Sequence, residues 1–104
     1  MSWLSNLFGL GNNSLKQVLQ EGAIVVDLRT AYEYDQGHVP RSLNIPVDRI
    51  RVSIERIKDY NKPVVLVCSA GNHCYEAADI LRQAGVSRVF IGGSWQSVMR
   101  LKNG

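Results

Sequence analysis

The sequence predicts an α/β domain built on a mostly parallel sheet, and three observations carry that expectation. Short apolar, β-branched runs at residues 23–28, 43–45, 64–68 and 88–91 are separated by segments with apolar residues at helical spacing. Two of the runs, Ala23-Ile24-Val25-Val26-Asp27-Leu28 and Val64-Val65-Leu66-Val67-Cys68, are near-continuously apolar, the pattern of strands buried on both faces. Strand and helix patterns alternate along the chain, which implies helices packed on a parallel sheet.

The 104 residues make one domain, large enough to bury a core without disulfide staples. With 45% hydrophobic and 20% charged residues the composition is that of an ordinary globular domain. A net charge of +3, without clustered Lys/Arg tracts, argues against nucleic acid as a partner. It would attract a small anionic substrate, the plain alternative being a solubility balance. No stretch approaches the ~20 apolar residues that span a bilayer. The first basic residue is Lys16, so the charged start of a signal peptide is missing. A cytoplasmic location is therefore expected, with the periplasm as the alternative if a leader has been removed from this numbering. Oligomeric state is not legible.

Taken in order, Trp3, Leu4, Leu7 and Phe8 form a small amphipathic stretch, read as an arm packed on the domain, and residues 9–13 read as a linker. Ser14 is placed as the cap of a first helix with Leu15, Val18 and Leu19 inward and Gly22 as its stop. After the strand at 23–28, Thr30 and Glu33 stand at capping-box spacing, so a second helix runs from there to Gly37. Leu43-Asn44-Ile45 is a short strand that Pro46 ends. Asp48 is the expected cap of a third helix with Ile50, Ile54 and Ile57 inward, and Arg49, Arg51, Arg56 and Lys58 on its wet side. Beyond the run at 64–68 a polar loop leads to a helix over Ala77, Ala78, Leu81 and Ala84 that stops at Gly85. Arg88-Val89-Phe90-Ile91 is a strand, Gly92-Gly93-Ser94 a tight turn with a cap, and a last helix covers Trp95, Val98 and Met99.

Chemistry concentrates in residues 68–74, Cys68-Ser69-Ala70-Gly71-Asn72-His73-Cys74. A thiol at the end of a buried strand, facing the N–H groups that open a helix, has its anionic form favoured and is a stronger nucleophile at neutral pH. The plain alternative is a small hydrophobe in the core. Active sites in such sheets lie beyond the carboxyl ends of strands, where Cys68 falls.

The segments Asp27-Leu28-Arg29, Glu33, Gly37-His38-Val39-Pro40 and Asn44-Ile45-Pro46 resemble the first signature of rhodanese-like domains. Cys68 to His73 resembles the Cys-x-x-Gly loop of that family, and Gly92, Gly93 and Trp95 its Gly-Gly-x-Trp turn. The resemblance implies a three-layer α/β/α sandwich around a central, mainly parallel five-stranded sheet, formed by residues 14–104 behind a short arm at 1–13. It implies sulfur transfer through a persulfide on Cys68, from a small thiosulfate-like donor to a thiol, another nucleophile or a protein acceptor. No cofactor or metal is implied. The amides of Ser69, Ala70, Gly71, Asn72, His73 and Cys74 would cradle the persulfide and the donor's anionic oxygens.

Asp27, Arg29 and Glu33 are read as an ion pair and hydrogen bonds beneath the loop rather than an acid–base set, and His38 as a turn-packing residue. The sequence departs from the family at His73, where active sulfurtransferases often carry arginine, at Cys74, commonly serine, and at Arg41-Ser42, usually Gly-Ala. Arg41 would compensate for His73 if its side chain reached the pocket mouth. Cys74 is expected as a buried residue at a helix start. Its alternative is a resolving thiol that forms a disulfide with Cys68 or accepts its sulfur. A metal site at these residues lacks further ligands at recognised spacing. A cysteine phosphatase or arsenate reductase would need arginine where Cys74 stands, and many phosphatases have histidine where Val67 stands. The remaining alternatives to an enzyme are a sulfur carrier or protein-interaction module without turnover and, less central, a redox sensor built on Cys68 and Cys74.

Overall fold

The structure, a computed structural model, describes residues 12–69 and 71–103. The apolar arm lies largely outside these residues, as does Ala70. Four strands, β1 (Ile24–Asp27), β2 (Leu43–Asn44), β3 (Val64–Val67) and β4 (Val89–Gly93), form one sheet in the order β2-β1-β3-β4, and all three pairings are parallel. The helices are α1 (Asn12–Gln20), α2 (Ala31–Gln36), α3 (Ile54–Tyr60), α4 (Gly71–Gln83) and α5 (Trp95–Asn103). Among the described residues, no helix is long and apolar enough to cross a membrane.

One expectation is corrected: among the described residues the sheet has four strands where the family resemblance implied five. The reason is visible in the residues. Between 12 and 103 there are four β-forming runs, and the segment before β1, NNSLKQVLQ, has helical spacing and folds as α1.

β3 is the axis of the fold. All four of its residues are buried, and it pairs with β1 on one side and β4 on the other. Because successive side chains of a strand point to opposite faces, β3 divides its side chains between two half-cores. Val64, Leu66 and Cys68 face one, with Ile50, Ile57, Cys74, Ala77, Ala78 and Leu81. Val65 and Val67 face the other, with Val18, Val39 and Val98, against which Leu15, Leu19, Trp95 and Met99 pack. Thus α3 and α4 cover one face, and α1 and α5 the other. Each fully buried Leu or Ile here contributes roughly 1.5–3 kcal/mol of burial free energy, which is why the parallel sheet survives with strands of only two to five residues.

Three local expectations change. α1 starts at Asn12, so Ser14 lies in its first turn and not at its cap. Asp48 does not cap a helix. The chain makes two 3₁₀ turns, Val47–Arg49 and Arg51–Ser53, before α3 begins. Closure there is i→i+3, from the Arg49 amide to the Pro46 carbonyl at 2.7 Å and from the Ser53 amide to the Ile50 carbonyl at 3.0 Å. Ile50 and Ile57 are nonetheless buried and Arg49, Arg51, Arg56 and Lys58 exposed, as the spacing predicts. Finally, Gly92 and Gly93 belong to β4 rather than to a turn. A Cβ at Gly92 would lie 2.7 Å from Val98 and 2.8 Å from Val65, so the glycine lets α5 pack directly on the strand. The cap expected at Ser94 is present: its Oγ accepts from the Ser97 amide at 3.1 Å.

The capping box also forms. Thr30 Oγ1 accepts from the Glu33 amide at 3.2 Å, and Glu33 Oε1 accepts from the Thr30 amide at 3.1 Å. At Arg41 the backbone is left-handed, with φ 70°. A side chain there strains the backbone by about 1–2 kcal/mol, partly offset in a glycine variant by the greater unfolded-state entropy of glycine. Arg41→Gly is expected to raise the free energy of unfolding by about 0.5–1 kcal/mol, read as a higher urea midpoint at unchanged slope.

Candidate functional site

The site begins where β3 leaves the sheet. The Leu28 amide donates to the Val67 carbonyl at 2.8 Å, and the Cys68 amide to the Gly93 carbonyl at 3.0 Å. The residue after the strand is therefore still hydrogen-bonded to a neighbouring strand when the chain turns into α4. Strand parity sends the Cys68 side chain to the face covered by α4.

α4 begins at Gly71, earlier than the cysteine loop of the sequence suggested, so Gly71, Asn72 and His73 form its first turn. Amides in a first helical turn have no intrahelical acceptor and carry the positive end of the helix dipole. Ser69, Asn72 and His73 are exposed beside them. Ala70 lies outside the described residues.

Cys74 is fully buried and starts the inner stripe Cys74, Ala77, Ala78, Leu81 of α4. The two small alanines let the helix approach β3 closely. In this arrangement Cys68 and Cys74 are joined by a disulfide across a sequence separation of 6, with Cα atoms 5.9 Å apart. The buried position expected for Cys74 and the bonded alternative therefore both hold. Cys74 Sγ also lies 3.7 Å from the Leu66 carbonyl oxygen, within reach of a thiol S–H once the disulfide is opened.

Beside this junction the end of β1 is held by a polar cluster. Asp27 is opposite Val67 in the sheet register and is fully buried. Arg29 Nε donates to Asp27 Oδ1 at 2.9 Å and Nη2 to Oδ2 at 2.9 Å, while the Arg29 amide donates to Oδ1 at 3.0 Å. The same Nη2 donates to the Gly37 carbonyl at 2.7 Å. Hydrogen bonding to Asp27 raises the Arg29 pKa above its ordinary value. Burial opposes this, and the charges of Asp27 and Glu33 reinforce it. Arg29 therefore stays cationic, as a buried carboxylate's partner must.

Glu33 is engaged at the helix cap rather than bonded to Arg29. His38 stacks on Tyr34, with ring centroids 3.6 Å apart and planes within 5°, and its Nδ1 lies 2.7 Å from the Tyr34 carbonyl. These contacts anchor the turn after α2. Arg41 lines a surface hollow with Pro40, Met99, Lys102 and Asn103, a set that includes none of residues 68–74. Among the described residues no group of three His, Cys, Asp or Glu is placed to hold a metal.

Three supporting residues were not singled out for these roles from the sequence. Asn44 Nδ2 donates to the carbonyls of Asp27 at 3.1 Å and Arg29 at 2.9 Å, which ties β2 to the cluster. Trp95 lies 5.9 Å from the Arg29 guanidinium and against Gly37, where a Cβ would come within 2.7 Å of the ring. Tyr34 donates from its hydroxyl to the Ser42 carbonyl at 2.6 Å. Asn44 and Trp95 stand in recognisable motifs, but their partners are remote in sequence.

Fold and site together define an α/β domain with a cysteine at the strand-to-helix junction of its central βα unit. The chain belongs to the rhodanese-like domain family, whose family model matches residues 12–100. It is 37% identical over 76 residues to the uncharacterized protein YibN of Escherichia coli, covering 69% of this chain and 52% of that protein. It is 33% identical over 73 residues to the tRNA uridine(34) hydroxylase of Cronobacter sakazakii, covering 65% of this chain and 21% of that protein. The chain thus spans about half of the first relative and about a fifth of the second. Among solved structures it is similar to a rhodanese with anions from Escherichia coli, with 28% identity, a TM-score of 0.65, and coverage of 73% of this chain and 91% of that one. A human single-domain sulfurtransferase shares the fold, with a TM-score of 0.66 at 22% identity over 85% of this chain and 91% of that one.

Removing one partner of a buried ion pair leaves the other charge uncompensated. Asp27→Ala is expected to lower stability by about 3–5 kcal/mol, measured by urea unfolding of the reduced protein.

Proposed function

We propose that this domain is a sulfurtransferase in which the reduced Cys68 carries a sulfane sulfur from a small anionic donor to a thiol, another nucleophile or a protein acceptor. The observation that carries this reading is the position of Cys68, bonded by its amide to the sheet three residues before Gly71, where α4 begins. Membership of the rhodanese-like family and the similarity to a rhodanese at 28% identity support it.

With thiosulfate, the Cys68 thiolate attacks the outer sulfur. The donor's S–S bond breaks, sulfite leaves with the electron pair, and the outer sulfur remains on Cys68 as a persulfide. An acceptor thiolate then attacks that outer sulfur and returns Cys68 to the thiolate. No cofactor enters this sequence. In this reading the first turn of α4, Gly71 to His73, contributes free amides and the positive end of the helix dipole, which favour negative charge on donor and persulfide. Thiolates, not disulfides, are the nucleophiles, so the Cys68–Cys74 bond must be opened before loading.

After dithiol reduction and desalting, thiosulfate or another sulfane donor should add one sulfur atom to the wild-type chain and none to Cys68→Ser, read by intact-mass spectrometry. An unchanged wild-type mass with every donor defeats the proposal. His73 stands exposed in the first turn of α4, at the position where active sulfurtransferases often carry arginine. His73→Arg should lower the KM for thiosulfate by about tenfold, the effect of one added charge-assisted hydrogen bond of roughly 1.5 kcal/mol, read in steady-state assays. A second reading, a sulfur carrier or interaction module without turnover, draws on that same histidine. It is the outcome if Cys68 loads but no acceptor is turned over by wild type or His73→Arg.

A further inference from the structure

We propose that Cys74 is the resolving cysteine of this site: its thiol displaces hydrosulfide from the Cys68 persulfide, so that the domain reduces sulfane sulfur to sulfide at the expense of a dithiol. This deepens the sulfurtransferase reading and rests on it.

The observations are geometric. Cys68 and Cys74 are within bonding reach while β3 and α4 keep their hydrogen bonds, and their 5.9 Å Cα separation lies in the ordinary range for a disulfide. Nothing must unfold for the two sulfurs to meet. The position of Cys74 is set by the inner stripe of α4 and that of Cys68 by strand parity, so the second thiol is held at the first in every molecule. An attack of that kind is intramolecular and outcompetes a dilute external acceptor. Cys74 is itself fully buried, so no external thiol or donor reaches it directly. Once reduced, its S–H has the Leu66 carbonyl 3.7 Å away, which parks the thiol at the site. A stapling role is a weak account of the bond, because it closes a short loop in a domain that already has a full core.

In the step proposed, the Cys74 sulfur attacks Cys68 Sγ while its S–H proton passes to the outer sulfur of the persulfide anion. An Sγ–Sγ bond forms, the bond from Cys68 Sγ to the outer sulfur breaks, and that sulfur leaves with the electron pair as hydrosulfide. Two cysteine sulfurs are oxidised to a disulfide and one sulfane sulfur is reduced to sulfide, so no oxidant is required. Hydrosulfide is the less basic leaving group compared with a cysteine thiolate, which favours this direction of cleavage. The site is reset by a dithiol reductant. Its first thiolate attacks Cys68 Sγ, because Cys68 keeps 6% exposure and precedes the exposed Ser69 whereas Cys74 has none, and expels Cys74. The second thiol then releases Cys68 and closes the reductant's own disulfide.

The test is a single turnover of the full chain. Reduced, desalted protein is mixed anaerobically with thiosulfate and no added thiol. Sulfite and sulfide are trapped with monobromobimane, and the protein is alkylated and weighed. Wild type should yield one sulfite and one sulfide per chain, end two hydrogens lighter than its reduced form, and give a linked Cys68–Cys74 peptide. Cys74→Ala and Cys74→Ser should yield sulfite, keep the added sulfur on Cys68 and lose sulfide release. A wild-type chain that holds its persulfide as long as these variants do, or that carries the sulfur on Cys74, overturns the proposal while leaving sulfur transfer intact. Absence of both sulfite and added sulfur in all forms instead removes the underlying sulfurtransferase reading, and this proposal with it. The wild-type arm decides the matter even if the variants misfold.

Discussion

Asp27 ends β1 with its carboxylate wholly inside the protein, and an ionised group in that position persists only because Arg29 reaches back to it with three N–H donors. Much of the site side of the sheet hangs on this pair. Arg29 continues to the Gly37 carbonyl at the end of α2, lies beside the Trp95 ring at the start of α5, and is tied through its own carbonyl to Asn44 in β2. Elements far apart in sequence thereby share one charge. The cluster sits beside Val67, the residue before Cys68, so it fixes the ground from which the reactive residue projects. Its contribution is better described as positional than as a large net stabilisation, since the desolvation of both ions offsets much of their attraction.

The layered α/β plan was legible because each strand and helix carries a pattern of its own. β3 reads as buried from Val64 to Cys68, and the capping box at Thr30 and Glu33 is a local device that forms as spelled. What the residues could not spell was set by contacts between distant elements. Gly92 and Gly93 read as a turn because glycine ordinarily breaks strands, yet Val65 and Val98 press so closely on Gly92 that a strand there needs the missing side chain. The 3₁₀ turns before α3 were hidden because Ile50 and Ile57 satisfy helical spacing whether the backbone closes at three residues or four. The fifth strand was an expectation of the resemblance and not of the apolar runs, which between residues 12 and 103 supply four.

The site was legible in part. The importance of Cys68 follows from its place after a buried run, before any three-dimensional information. The pairing with Cys74 was legible only as an alternative, because it depends on two periodicities meeting: a repeat of two that turns Cys68 toward α4, and a helical stripe that turns Cys74 back toward β3. The start of α4 at Gly71 is what brings these together. A helix opening at Cys74 itself would leave that residue's direction to the loop.

The division of β3 between two half-cores has a consequence for how this domain can change over evolutionary time. Substitutions around Cys68 alter what the thiol meets, but a single inserted or deleted residue within β3 would turn the thiol through the sheet, away from α4 and toward the layer of α1 and α5. Cys74 would then face Val67 after an insertion or Ser69 after a deletion, and in neither case a thiol. Length in this strand is therefore a chemical property of the domain. The surrounding turns can drift in size, while the spacing from the Asp27–Val67 pair to the cysteine is held by the geometry of the sheet.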